Sequence, residues 1–256
     1  MESPVISLLQ TQVRFEELPT VKWQKSLPSK LTPGNIHIWR FKLNSYLTRV
    51  SVLYEMLAAK EKARASRFVK ETDRQTFIVA KALLRLILAE YTGVSSGEIS
   101  FEHGKRQKPR LKNPCNLSIH FNVSHSGQSI LFGVSDEEIG IDVEYYKNAT
   151  VGETDIRNLF VGDEVSFINN QSSPVKTFHS LWTRKEALLK GTSEGISDKI
   201  RFVPCLTGTH DIKPGVIASS VNWTVISFDA DEFCTASIAY TGLNKQLTFY
   251  QLDDYK

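Results

Sequence analysis

Two acids stand two residues apart in Gly140-Ile141-Asp142-Val143-Glu144. In a strand, side chains at i and i+2 share a face, so Asp142 and Glu144 project together while Ile141 and Val143 turn toward a core. Adjacent carboxylates repel, and a bound divalent cation offsets that repulsion. Oxygen ligands of this kind suit Mg2+ or Mn2+, often shared with substrate phosphates. Taken alone, the pair also fits an exposed strand edge with two solvated acids. A second group lies in Leu181-Trp182-Thr183-Arg184-Lys185-Glu186-Ala187-Leu188-Leu189-Lys190, which reads as a helix. Glu186 and Lys190 form an i, i+4 pair in the favourable order for a simple surface ion pair. Trp182 precedes Glu186 by four residues, and a stripe of Trp, Glu and Lys is more like a pocket wall than a solvated face. A third group, Asn122-Val123-Ser124-His125-Ser126-Gly127, is a strand end entering a turn where backbone N–H groups can approach an anion. There His125 either donates to a phosphate or rests against a nearby carbonyl.

Other chemistries lack their residues. There is no Gly-rich phosphate loop, no GxGxxG fingerprint and no GxSxG elbow. Cys115, Cys205 and Cys234 are odd in number and widely spaced, which argues against a zinc site or a disulfide framework and for buried thiols in a reducing compartment. A formal net charge of +3 is too small for a general nucleic-acid binder, while local basic clusters suit a small anionic ligand. The most apolar segment, Ala82 to Tyr91, is interrupted by Arg85 and Glu90 and is too short to span a bilayer. The first residues lack the basic start and apolar run of a secretory signal. The expectation is a cytoplasmic protein that binds neither nucleic acid nor membrane.

The elements that must position these groups follow from periodicity. At 256 residues the chain has room for one large domain or two smaller ones with real cores. Residues 1–34, broken by Pro4, Pro19, Pro28, Pro33 and Gly34, read as an irregular extension. Ile36 to Phe41 alternates as a first strand. One helix is expected from about Ser51 to Phe68, with Lys60, Arg64 and Arg67 on one face. A second opens at Thr72 with Gln75 as a capping box and ends at Gly93. Ile99 to Glu102 is a short strand, His103 to Asn113 a basic loop, and Leu117–Ser124, Ser129–Ser135 and Ile139–Tyr145 are strands. Short helices at Asp155–Phe160 and Asp163–Ile168 precede a long one, with Ser173 as N-cap, Pro174 at its first position and a stop at Gly191. Strands are expected at Ile200–Val203, Val216–Ala218, Trp223–Phe228, Phe233–Tyr240 and Leu247–Tyr250. Each half reads as strand, helix and then antiparallel strands, which predicts two similar α+β halves, 35–137 and 138–256.

The order of these segments resembles the Sfp-type 4′-phosphopantetheinyl transferases. The shared pattern is Arg67-Phe68 with Asp73, then Lys108-Pro109, Asn122 to Ser126, Gly140 to Glu144, and Trp182 to Lys190. The resemblance covers roughly residues 36 to 250 and leaves the first 34 outside. It implies a pseudo-twofold pair of α+β halves with the active site between them. It implies transfer of phosphopantetheine from coenzyme A to a serine of an apo acyl carrier protein, or of a peptidyl or polyketide carrier domain, releasing adenosine 3′,5′-bisphosphate. By position, Asp142, Glu144 and Glu186 become Mg2+ ligands, and Lys190 and Lys185 pyrophosphate contacts. His125 with Ser124, and Arg64 with Arg67, fall at the 3′-phosphate, and Lys108 and Pro109 near the adenine. Either Glu186 or a water of the metal site would take the serine proton. The family commonly has an arginine three residues after the aspartate, where this chain has Thr76, and a basic residue where it has Glu61. Two other classes share the residues: a non-catalytic coenzyme A or nucleotide-binding module, and a metal-dependent phosphohydrolase. If both halves build one site, a monomer suffices.

Overall fold

The computed structural model describes residues 11–26, 30–104, 106, 108–112, 118–195, 197–217 and 219–253. Pro4, Pro28, Cys115, Leu117 and Ala218 lie outside them. Two five-stranded sheets stack face to face, each covered on its outer side by a helix. The first sheet has the order β2-β12-β3-β7-β6, with β2 at Trp23–Gln24, β3 at Asn35–Lys42, β6 at His120–Ser126, β7 at Ser129–Ser135 and β12 at Gln246–Gln251. The second has the order β8-β11-β10-β1-β9, with β1 at Gln12–Leu18, β8 at Ile139–Tyr145, β9 at Gly208–Asp211, β10 at Trp223–Asp231 and β11 at Cys234–Thr241. A hairpin of β4 (Phe101–His103) and β5 (Pro109–Leu111) stands apart.

Period-2 patterning builds this stack. On β3, Ile36 and Ile38 enter the core between the sheets, where Ile139, Ile141 and Val143 of β8 also lie. The alternate residues Trp39 and Phe41 pack under the helix α3 (Glu71–Thr92), against its Leu83, Leu84 and Ile87. On the other side, Ala187 and Leu188 of helix α6 (Pro174–Thr192) pack on Val225 and Ala239. The chain is thus mixed α+β in two halves.

Residues 12–18 are a strand rather than irregular extension. Val13 and Phe15 alternate into the core under α6, and β1 runs parallel to β10 and antiparallel to β9. Conversely β12, from the chain's far end, lies parallel to β3 in the first sheet. Each sheet is completed by a strand from the opposite end of the chain.

Helical boundaries also shift. The expected helix from Ser51 to Phe68 is a 3-10 turn at Leu43–Arg49, α1 at Val50–Glu55 and α2 at Ala59–Ala65. Ala58 is extended, and its N–H donates to Glu61 Oε2 at 2.9 Å, so α2 begins anew. Arg67 therefore falls beyond α2 and off the face shared by Lys60 and Arg64. Helix α3 begins at Glu71 without a side-chain cap, so the Thr72 capping box does not form; its Gly93 end, in the left-handed conformation, is as expected. Pro109 opens strand β5 instead of sitting in a loop, a position that wants no N–H donor. Residues 153–159 and 162–169 form α4 and α5. Ile200 to Val203 belongs mostly to a 3-10 turn, and no strand forms at Val216–Ile217. Cys205 and Cys234 are buried and unpaired.

His37 on β3 faces α3, with Nδ1 2.7 Å from the Tyr91 hydroxyl. Burial lowers its pKa to about 4. The folded protein holds His37 neutral while the unfolded chain takes up a proton near pH 6.5, so stability is full above that pH and falls as pH drops toward 4. Between pH 7.5 and 5 this one group removes about 2 kcal/mol, roughly 4–8 °C in Tm for a chain of this size. Thermal melts at both pH values should show a smaller drop for His37→Phe than for the wild type. Equal drops refute the assignment.

Candidate active site

The two sheets meet along β6 and β8, which are joined by side chains rather than by a backbone ladder. Asn122, Ser124 and Ser126 occupy i, i+2 and i+4 on one face of β6. Asn122 Oδ1 accepts from Ile141 N at 2.9 Å, Ser124 Oγ donates to Asp142 Oδ1 at 2.8 Å, and Ser126 Oγ donates to Glu144 Oε2 at 2.9 Å. The motif read as an anion-binding turn is thus first a seam that aligns the two acids.

Helix α6 crosses β8 at Gly140. A Cβ there would lie 2.0 Å from Ala187 O and 2.3 Å from Gly191 N, so only glycine admits this approach. The crossing sets α6 so that Lys190 Nζ donates to Asp142 Oδ1 and to Ser124 Oγ. Glu186, one turn earlier, is buried beside the two acids of β8. Trp182, another turn back, lies close enough to Glu144 to favour its charged form slightly. Of this stripe, Lys190 lines a cavity, while Glu186 is buried beside Asp142 and Glu144 and Trp182 is half-buried.

The electrostatics of the cluster are one-sided. Burial, then the charges of Asp142 and Glu144, raise the pKa of Glu186 to about 7, against the pull of Lys190. Burial also raises Asp142 and Glu144, and Asp142 adds to the rise at Glu144. Asp142 Oδ2 and Glu186 Oε1 are buried with no hydrogen-bond partner. Lone buried carboxylate oxygens are costly, and a cation relieves them. As the side chains stand, no three acidic, His or Cys groups among the described residues close a metal-ligand shell. The donor set of three carboxylates, two with orphaned oxygens, nevertheless fits a hard divalent cation.

The other expected site residues divide. Lys190 faces a cavity of about 200 Å3 that Arg106, Pro109 and Asn122 also line. Pro109 further borders a larger cavity of about 510 Å3 between α2, α3 and the β4–β5 hairpin. Lys60, Arg64 and Lys81 line that cavity, with the rings of Phe77 and Phe101. Lys81 was not singled out by the sequence, yet Phe77, Lys81 and Arg85 form an i, i+4, i+8 stripe along α3. The Lys81 ammonium lies 5.4 Å above the Phe101 ring, and Arg64 sits 5.2 Å over Phe77. Arg67 is exposed and lines neither cavity. His125 is at the solvent-facing end of β6, its pKa lowered by burial and by Lys190.

Two departures from expectation become explicable. Glu61 accepts from Arg85 Nε at 2.8 Å, so the acid at a basic position serves the helix pair. Thr76 bonds back to Thr72 O within α3. Lys185 does not face the acids of β8. It is fully buried on the far side of α6, donating to Glu164 Oε2 at 2.9 Å and to the carbonyls of Ile200 and Arg201. Lys108 borders the same 200 Å3 cavity as Lys190, but its ammonium is directed to Glu138 Oε2 and the carbonyls of Ile139 and Gly191.

Comparison with known proteins finds family matches to both halves of the chain. Residues 42–135 match the family described as "4′-phosphopantetheinyl transferase, N-terminal", and residues 138–238 match the "4′-phosphopantetheinyl transferase superfamily". The 4′-phosphopantetheinyl transferase HetI of Nostoc sp. is 30% identical over 224 residues, 86% of this chain and 93% of that protein. A 4′-phosphopantetheinyl transferase of Bacillus subtilis is 31% identical over 146 residues, 55% of this chain and 62% of its own. The transferase Sfp of Bacillus subtilis strain 168 is 25% identical over 180 residues, 62% of this chain and 79% of its own.

Proposed function

The chain belongs to the 4′-phosphopantetheinyl transferases, and on that premise we propose that the β6–β8–α6 cleft transfers phosphopantetheine from coenzyme A to a carrier-protein serine. The observation that carries this reading is the group of buried Asp142 and Glu186 with half-buried Glu144, closed by Lys190. Three acids and one lysine suit a substrate that brings both a pyrophosphate and a hydroxyl proton to the same place.

Asp142, Glu144 and Glu186 hold Mg2+ in this reading. When bound, the ion supplies charge neutralisation for the pyrophosphate oxygens. The chain's own residues do the rest. Lys190, now bonded to Asp142 Oδ1, would direct its ammonium to the bridging and 5′-phosphate oxygens. Glu186 receives the proton from the carrier serine as its oxygen attacks the phosphorus carrying the pantetheine arm. The phosphorus–oxygen bond to the adenosine 5′-phosphate breaks, and adenosine 3′,5′-bisphosphate leaves. Arg64, Lys60 and Lys81 in the larger cavity take the 3′-phosphate, with His125 of β6 as a further donor, while Phe77, Phe101 and Pro109 flank the adenine.

This protein with coenzyme A, Mg2+ and an apo-carrier should add one phosphopantetheine to the carrier, read as a mass increase. Bisphosphate release without carrier modification, or binding with no reaction, rejects the transfer reading. A single chain supplies every residue named, so the reading requires only a monomer. Among the described residues no helix is long and apolar enough to cross a membrane.

A further inference from the structure

We propose that Lys108 is a positioning residue of the transfer site: it locks β8 and α6 at their crossing and does not contact coenzyme A. The proposal rests on the transfer reading above and concerns how its carboxylates are held.

An ammonium group has three N–H donors and no acceptor. Lys108 spends them on three partners. Its Nζ lies 3.0 Å from Glu138 Oε2, 2.9 Å from Ile139 O and 3.0 Å from Gly191 O. The side chain is only 9% exposed. No donor remains for a phosphate or a base unless one of these bonds breaks, although Lys108 borders the same 200 Å3 cavity as Lys190.

The three partners sit where the site is determined. Ile139 O immediately precedes Gly140, the residue whose missing Cβ lets α6 touch β8. Gly191 O is a terminal carbonyl of α6, one residue after Lys190; a lysine there satisfies an orphan acceptor and complements the negative helix end. Lys108 itself enters from the other half, just before β5. One buried cation thereby joins the hairpin, the start of β8 and the end of α6. It lies three residues from Asp142 along β8 and within two turns of Glu186 along α6. Glu138 is fixed in turn by Arg110 and by His120, whose Nδ1 lies 3.5 Å from the other carboxylate oxygen, Oε1.

Removing Lys108 strands two buried carbonyls at the crossing and leaves Glu138 held by Arg110 and His120 alone. The two elements are then free to shift relative to one another, and a misplacement on the order of 1 Å lowers turnover by about a hundredfold in a preorganised site. Coenzyme A has lost no contact, so its affinity stays.

The test measures transfer to an apo-carrier with varied coenzyme A for wild type, Lys108→Met and Glu138→Gln, together with equilibrium binding of coenzyme A and a thermal melt. The expected result is a fall in kcat of about tenfold or more for Lys108→Met, with KM and Kd for coenzyme A within about twofold. Glu138→Gln should fall in the same direction, and the double variant should lose little beyond Lys108→Met, because both changes open one knot. A rise in KM and Kd of about tenfold at unchanged kcat makes Lys108 a ligand contact and overturns the proposal. Lower melting temperatures with full kcat per folded molecule overturn it as well, by reducing Lys108 to a stabilising contact. If Lys108→Met does not fold, Glu138→Gln decides: unchanged kcat there refutes the knot. A wild type that fails to modify the carrier rejects the transfer reading itself, a result distinct from each of these.

Discussion

Glu186→Gln lowers phosphopantetheine transfer by about 10^2–10^4-fold, the range general-base catalysis supplies, while coenzyme A binding stays within a few-fold. Glutamine keeps the volume and most of the packing of a side chain that is 7% exposed. What it loses is the negative charge and the capacity to accept a proton. In the proposed reading the nucleotide end of the substrate is held elsewhere, by the cations around the larger cavity. The variant should also be at least as heat-stable as the wild type. Burial and the charges of Asp142 and Glu144 raise the pKa of Glu186, and removing its charge relieves that cost. A time course of carrier mass, a coenzyme A titration and a melt separate the effects. Near-normal turnover ends the assignment of Glu186. Lost binding or a lowered melting temperature shows that the residue acts through the fold.

The second large effect is structural in origin. Gly140→Ala should destabilise the protein by about 3 kcal/mol or more, at the upper end for overpacking, and lower Tm by roughly 6–12 °C. The new methyl would sit 2.0 Å from Ala187 O and 2.3 Å from Gly191 N. Both are backbone atoms, so no rotamer change relieves the clash. Either α6 moves off β8 or β8 buckles, and in both cases Asp142 and Lys190 separate. Gly162→Ala is the control, since nothing lies within 4 Å of a Cβ at Gly162 and its conformation is ordinary. It should leave both Tm and transfer nearly unchanged. A Gly140→Ala protein that melts like the wild type would show that the crossing is looser than its geometry.

The carboxylate cluster was legible because strand and helix periods place Asp142 with Glu144 and Glu186 with Lys190 without reference to anything else in the chain. The order of motifs then united them. Strand β1 was missed although Val13-Arg14-Phe15-Glu16 alternates, because its proline-rich surroundings suggested irregular chain and its partners, β10 and β9, lie some two hundred residues away. Ile200 to Val203 is β-prone in composition, yet Ile200 and Val203 are both buried with a spacing of three, which a 3-10 turn delivers equally well. The lysines failed for another reason. Lys108, Lys185 and Lys190 are the same residue beside the same motifs. Whether an ammonium faces a cleft or is consumed by carbonyl oxygens depends on the packing of distant segments, which no local pattern encodes. Lys81 shows the converse: in an apolar helix a single lysine looked incidental, and only the fold opens a cavity in front of it.

The exchange of strands between the two ends has a consequence for synthesis. The first sheet needs β12, residues 246–251, and the second combines β1 with strands made after residue 138. A ribosome emitting this chain therefore releases the early strands long before either sheet can be finished. The first half should wait with the β3 edge open until the last strand arrives, and the second should wait with β1 already in solution. Domains usually fold one after another as they emerge. Here both halves are expected to close late, the second once β11 is made and the first only once β12 is, and a nascent chain arrested before residue 246 should keep its first half protease-sensitive.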